Sequence, residues 1–287
     1  MDLSHIVAAT DETDAGRQAV RTALDLASRC SARVTVMRVV AVEAAPRLAG
    51  VAEGTGLVAA PDEAPDLERL HRWLQAGVLS GEQIGRVQLG VAFGIPGIEI
   101  CRYAGDNEAD LVVLGRKRHS PMMRLLLGDT ADAVARRSRL PCLFVPQGVA
   151  SIRRVLVALD GSDRGMIVLH QACDFARHLG ASLQAITVEG RTPAEPLHLV
   201  SSLPLARSTS LQTRVRQVLF RKGLPDVPLA IRRGDVLERV AAEAQETEAD
   251  VLVLGYHRGG PPGVIEAGST ARRLAHAAPC AVLTIPL

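Results

Sequence analysis

Short runs of β-branched and other apolar residues alternate along the chain with longer segments whose apolar positions recur three and four apart. The runs fall at 5–10, 33–40, 86–92, 110–114 and 141–145, and again near 154–159, 182–188, 227–232, 250–254 and 280–285. Runs apolar on both faces predict buried strands, and the intervening period predicts covering helices, so the pattern reads as successive parallel β-α-β units. Five strands fall on each side of a midpoint near Gln147 to Ala150. The expected architecture is therefore α/β, with two tandem five-stranded parallel sheets carrying helices on both faces.

The two sides are one unit written twice. HIVAATDETDAG at 5–16 returns as RVLVALDGSDRG at 154–165, EADLVVLG at 108–115 as EADVLVLG at 248–255, and LPCLFVP at 140–146 as APCAVLTIP at 278–286. Landmarks recurring in one order predict two domains, 1–147 and 148–287, each within the ordinary domain size range. Asp14 and Asp163 are expected to cap the helices after the first strand of each half, and Pro96-Gly97 and Gly234-Asp235 to mark turns into a later helix. The stretches 41–65 and 189–206, punctuated by Pro and Gly, are expected to be loops.

Composition excludes several classes. Thirty-three Lys plus Arg against 31 Asp plus Glu leave a net charge of +2, and one Trp, two Tyr and four Phe offer few stacking platforms. Neither feature favours nucleic acid. No run approaches the 18 apolar residues or so of a membrane span, and the amino-terminal residues lack the layout of a secretion signal. Five scattered cysteines without a Cys-x-x-Cys pair fit reduced thiols. A soluble cytoplasmic protein is the expectation.

The candidate chemistry lies in loops after the first and fourth runs of each half, where an open α/β sheet places its ligands. In the second half Gly268, Ser269 and Thr270 open a helix whose N–H groups and hydroxyls suit a phosphate, and Gly255 would let backbone approach the ligand. Asp160, after the first run, can accept from a ribose or adenine or hold a magnesium ion. Taken singly, each is more often a helix cap or a turn former.

Together, Asp160-Gly161-Ser162, Ala249-Asp250, the loop from Gly255 through Arg258 to Gly268 and Ser269, and Ala-Pro-Cys entering the fifth strand resemble the universal stress protein superfamily. The two halves together resemble its tandem E-type members. The resemblance implies a sheet order of 3-2-1-4-5 in each half and, in some members, ATP binding. Carried over, Asp160, with Gly161 and Ser162 of the same motif, would meet the nucleoside, Val188 the base, and Gly255 the sugar and phosphate region. Gly268, Ser269 and Thr270 would then hold the phosphates. Arg258 stands where ATP-binding members have a glycine, either obstructing the ribose or clamping a phosphate.

The first half departs further. Asp11-Glu12-Thr13 replaces Asp-Gly-Ser, Arg118 repeats the arginine, and Gly128-Asp129-Thr130 puts a carboxylate at the phosphate-binding helix start, where it is expected to cap that helix and repel a triphosphate. Arg116, Lys117, Arg118, His119 and Arg124 in the same loop offer side chains to an anion, though a solvated basic loop or an intramolecular salt-bridge partner for Asp129 is the better reading. No catalytic triad, paired-carboxylate motif or metal-ligand spacing is present. Cys142 and Cys280 read as small buried hydrophobes. The leading expectation is a stress-response binding and signalling module with ATP, with or without Mg2+, in the second half. A protein-interaction scaffold binding no nucleotide and a slow ATPase are the alternatives. The resemblance implies that fifth strands pair between two domains, so the halves are expected to pack together as an internal dimer; association of two chains stays open, as do the protein partners.

Overall fold

The computed structural model describes residues 1–41, 63–116, 128–149, 151–189, 203–256 and 269–287, with the backbone alone for 203–210 and 269. Strands β1 (His5–Thr10), β2 (Arg33–Val40), β3 (Val87–Phe93), β4 (Leu111–Arg116) and β5 (Cys142–Pro146) belong to the first half. Helices α1 (Asp14–Cys30), α2 (Ala64–Gln75), the short α3 (Gly81–Ile84), α4 (Pro96–Asp106) and α5 (Asp129–Arg137) connect them. The second half follows with β6 (Arg154–Leu159), α6 (Asp163–His178), β7 (Ser182–Glu189), α7 (Leu203–Arg221), β8 (Leu229–Arg233), α8 (Val236–Glu246), β9 (Val251–Tyr256), α9 (Ser269–Ala277) and β10 (Ala281–Pro286).

The strand order is β3-β2-β1-β4-β5-β10-β9-β6-β7-β8, one ten-stranded sheet. Each half keeps the order 3-2-1-4-5, but the expectation of two separate sheets is corrected. The reason is the fifth strand, which leaves an apolar edge with unpaired N–H and C=O groups that water alone satisfies poorly. Here β5 and β10 pair antiparallel, with Val282 opposite Phe144, Leu283 opposite Leu143 and Thr284 opposite Cys142. The other strand pairs are parallel.

Two apolar layers flank the sheet. One packs β1 and β6 against α1 and α6 through Ile6, Leu26, Leu156's neighbour Val157, Leu169 and Phe175. The other packs Phe144, Leu156 and Val282 against α4, α5, α8 and α9. Cys142 and Cys280 lie in the second layer, buried as expected, and burial pushes their thiols up to about 12 and about 11. They are inert hydrophobes there.

The helix starts correct one expectation. Thr13 and Ser162, one position before Asp14 and Asp163, are the caps, each accepting from the N–H of the residue three later, Gly16 and Gly165. The aspartates sit in the first turn, where their charge still suits the helix pole. The expected turns lead into helices: Asp235 is the cap of α8, and Pro96 opens α4 after Ile95. Of the expected loops, 42–62 and 190–202 lie outside the described residues, whereas Ala64 and Leu203 already open α2 and α7.

The Glu-Ala-Asp repeats have a structural role. Asp110 accepts from Ser4 N at 2.7 Å, Ser4 Oγ at 2.7 Å and His5 N at 2.9 Å. Asp250 accepts from the N–H groups of Arg153 and Arg154, both at 2.8 Å. Each carboxylate thus fixes the start of the central strand of its half. Burial alone would raise the Asp110 carboxyl, but these hydrogen bonds outweigh it and hold it below the usual carboxylate range.

Candidate functional site

At the carboxyl end of β6, β7 and β9 a cleft of about 370 Å³ opens between α6, α8 and α9. Its walls are apolar, from Val168, Ile186, Val188, Val236, Val240, Leu254, Leu274 and Leu287, and its polar groups come from Asp160 and Thr270. Such a lining, apolar walls with a few convergent polar groups, is the ordinary form of a small-molecule site, and the volume falls in the range of about 300–1,000 Å³. The position is the topological switch point, because β7 and β9 lie on opposite sides of β6.

Asp160 is set by the turn that follows β6. Its Oδ1 accepts from Ser162 N at 3.0 Å and from Ser162 Oγ at 2.7 Å, and the same hydroxyl accepts from Gly165 N at 3.0 Å. Gly161 supplies the positive φ of 77° that this turn needs. From α7, Arg214 fastens the turn, donating Nη1 to Gly161 O at 3.0 Å and Nη2 to Asp163 Oδ1 at 2.6 Å. Gly165 matters for another reason: a Cβ there would lie 2.6 Å from Asp160 Oδ1, so only glycine lets the carboxylate rest against α6.

Of the residues singled out from sequence, Asp160, Val188, Gly255 and Thr270 line the cleft. Gly161 and Ser162 shape the turn that aims Asp160 and do not line it. Ser269 is the first residue of α9, at the amino end of the helix that carries Thr270. Arg258 and Gly268 lie outside the described residues. Gly255 is also closely packed, since a Cβ would meet Leu287 Cδ1 at 2.6 Å and Val168 Cγ2 at 2.9 Å and those side chains would have to shift. Gly165, Arg214 and Leu287 were missed. Gly165 had a signal, because the repeated motif ends in glycine in both halves at Gly16 and Gly165. Arg214 and Leu287 had none, being far away in sequence and brought in by the fold.

The first half has the corresponding cleft, but it is only about 130 Å³. Thr10, Asp11, Gly16, Val39, Ile100, Gly115 and Thr130 line it. Helices α4 and α8 are both 11 residues long, which aligns Ile100 with Val240 and Pro96 with Val236, and the larger isoleucine takes space from the cavity. Glu12 keeps the turn's left-handed backbone with φ 62° where Gly161 stands in the second half. Its carboxylate lies 3.1 Å from Arg38 Nε and 2.8 Å from Arg69 Nη2, and Arg38 also pairs with Asp66. An ion-pair cluster therefore fastens this turn to β2 and α2.

Two expectations for the first half are corrected. Asp129 does not cap α5: the cap is Gly128, with φ 63° and no side-chain bond, because the glycine's left-handed backbone ends the loop one residue earlier. Asp129 is exposed at the first helical position, its charge still at the pole where an anion would sit. Arg116, counted among the loop cations, is only 8 % exposed and turned into the other half, where it donates to three carbonyls. The remaining loop cations, Lys117, Arg118, His119 and Arg124, lie outside the described residues.

Among the described residues no cluster of three or more His, Cys, Asp or Glu could hold a metal ion, and no helix is long and apolar enough to cross a membrane.

The family model for the universal stress protein family matches twice, at residues 3–146 and 151–286. A universal stress protein of Mycobacterium tuberculosis is 29% identical over 180 residues, 60% of either chain. One from Methanocaldococcus jannaschii is 30% identical over 141 residues, 49% of this chain and 80% of the relative. The match thus spans about three fifths of the length of the mycobacterial relative. Among solved structures, a universal stress protein from Archaeoglobus fulgidus superposes with a TM-score of 0.68 at 18% identity over 98% of both chains. A putative universal stress protein from Pseudomonas aeruginosa gives 0.64 at 16% identity, over 99% of this chain and 93% of that one. With two matches that together take in nearly the whole chain, a repeat to which they correspond and a fold shared along its full length, the chain belongs to the universal stress protein family as a tandem member.

Proposed function

We propose that the chain is a nucleotide-responsive binding module in which the second half takes one ATP and the first half takes none. The observation that carries this reading is the contrast between two clefts of common origin, about 370 Å³ against about 130 Å³. The apolar wall of Ile186, Val188 and Val240 suits the faces of a purine, the Asp160 carboxylate suits the hydroxyls of a ribose, and the amino end of α9 at Thr270 suits phosphates. Among the described residues that line the larger cleft, Asp160 is the one titratable side chain. A single carboxylate fits a magnesium ion that arrives on the nucleotide's own phosphates.

That lone carboxylate is already engaged by Ser162, which favours binding over turnover and makes hydrolysis the lesser reading. In the family context the bound nucleotide would alter which protein partners the chain selects in the cytoplasm. A test is the affinity of Asp160→Ala for MgATP. Loss of about tenfold or more is expected, the scale of a lost hydrogen bond to a charged group, with no change from Asp11→Ala. Equal affinity in all three proteins would leave the scaffold reading in its place.

A further inference from the structure

Helix α9 supplies Thr270, Ala271 and Leu274 to the larger cleft, so its placement sets that cleft's shape. Two buried side chains of the first half grip this helix. Arg116, the last residue of β4, donates Nη1 to Ala275 O at 2.7 Å and Nη2 to Ala278 O at 2.7 Å and Cys280 O at 3.2 Å. Those carbonyls belong to the last turn of α9 and its exit into β10, where a helix leaves acceptors unsatisfied and its dipole favours a cation. Asp132 on α5, also 8 % exposed, brings Oδ1 to 3.1 Å from Arg272 Nε and 3.8 Å from His276 Nε2, while Arg136 of its own helix stands 3.1 Å from its other oxygen.

The charges at this contact are not interchangeable between the halves. Helices α5 and α9 are both nine residues long, so Asp132 and Arg272 occupy equivalent positions with opposite charge. By the same alignment Tyr256 stands where Arg116 does, and a phenol cannot return a five-donor fork to α5. Two copies of one half, set face to face in this way, would oppose like charges at the Asp132 or Arg272 position.

We infer that Arg116 and Asp132 are positioning residues by which the first half holds α9, and with it the second-half cleft, in its working place. The first half then acts as a brace for its partner's site instead of a second site. The consequence for affinity rests on the cleft being the nucleotide site, whereas the bracing of α9 does not.

Hydrogen exchange of the intact chain without nucleotide separates the two. In Arg116→Gln and in Asp132→Asn, peptides spanning Ser269–Ala277 are expected to exchange about tenfold faster, the scale of losing hydrogen bonds to a charged group, while α6 keeps its protection. Arg116→Lys, which keeps the charge but loses the fork, recovers part of it. Titration of the same variants with MgATP should show affinity lowered about fivefold or more at unchanged stoichiometry. Unaltered exchange of α9 in both variants overturns the inference, and so does equal acceleration of α6 and α9, which would mean general loss of stability. If the unmodified chain gives no heat with MgATP the nucleotide reading fails, and the exchange data still decide the bracing.

Discussion

At the scale of single residues, two glycine pairs common to both halves, Gly16 with Gly165 and Gly115 with Gly255, are set by close neighbours, whereas Gly128 is set by its positive φ of 63°. A Cβ on Gly115 would fall 2.1 Å from the carbonyl oxygen of Ala15, backbone that cannot step aside. Gly115→Ala should therefore cost about 2–3 kcal/mol, the upper part of the overpacking range, read as a fall in the denaturant midpoint at unchanged slope; a shift near zero would contradict the close β4–α1 contact. The buried imidazoles make stability depend on pH. Burial pulls His276 and His5 below the 6.5 of a free imidazole, the nearby cations adding to it and Asp132 and the Asn107 carbonyl opposing it. In the folded chain they take up a proton at lower pH than in the unfolded chain, so below about pH 6.5 the unfolded state binds more protons and stability falls with falling pH. The depressed Asp110 adds a second loss once pH drops through the carboxylate range, because its contribution is present above the unfolded value of 3.8. Melting temperature followed from pH 8 to pH 5 should decline, and His276→Gln should flatten that decline; a flat profile in the unmodified chain would contradict the burial of these rings.

At the scale of elements, the two first turns show how one backbone shape serves two sequences. Asp160 and Asp11 both fold back on the hydroxyl residue two positions later, and Ser162 and Thr13 both cap the helix that follows. Removing either hydroxyl, in Ser162→Ala or Thr13→Ala, should cost about 1 kcal/mol. The Ser162 change should in addition loosen Asp160 and weaken nucleotide binding, an effect absent from the Thr13 change; equal effects of both on binding would contradict the assignment of the site to one half. The periodicity of the chain made the ten strands and the parallel pairing within each half legible, because the inner strands, buried on both faces, are apolar throughout. Caps were misread by one residue, since Thr-Asp and Ser-Asp each offer two good capping side chains in a row and only the backbone geometry decides between them. Arg214 and Arg69, which fasten the two turns, were illegible because nothing local marks a helix arginine as the partner of a loop far away in sequence.

At the scale of the whole molecule, the joining of β5 to β10 turns two repeats into one sheet with a single seam. Pairing of the halves through their fifth strands was implied by family likeness, but periodicity alone read two separate sheets, because strand registry between repeats leaves no trace in it. The seam also explains how repeats can diverge without the fold being lost. Once Arg116 and Asp132 hold the second half's helix, the first half can lose volume in its own cleft at no cost to the assembly. The candidate site was legible as a constellation, Asp160 with Val188, Gly255 and Thr270, which the fold brings to one cleft. The cleft volumes and the brace required the coordinates, since they depend on Ile100 against Val240 and on a buried guanidinium that sequence alone placed in a loop.

The most direct test of the central claim is a calorimetric titration of the intact chain with MgATP, because it returns stoichiometry together with affinity. One site per chain with a micromolar constant, about −8 kcal/mol, abolished or weakened by Asp160→Ala and indifferent to Asp11→Ala, is the predicted result. Two equivalent sites would contradict the division of labour between the halves, and no heat, with the melting temperature unmoved by ATP, would contradict nucleotide binding itself.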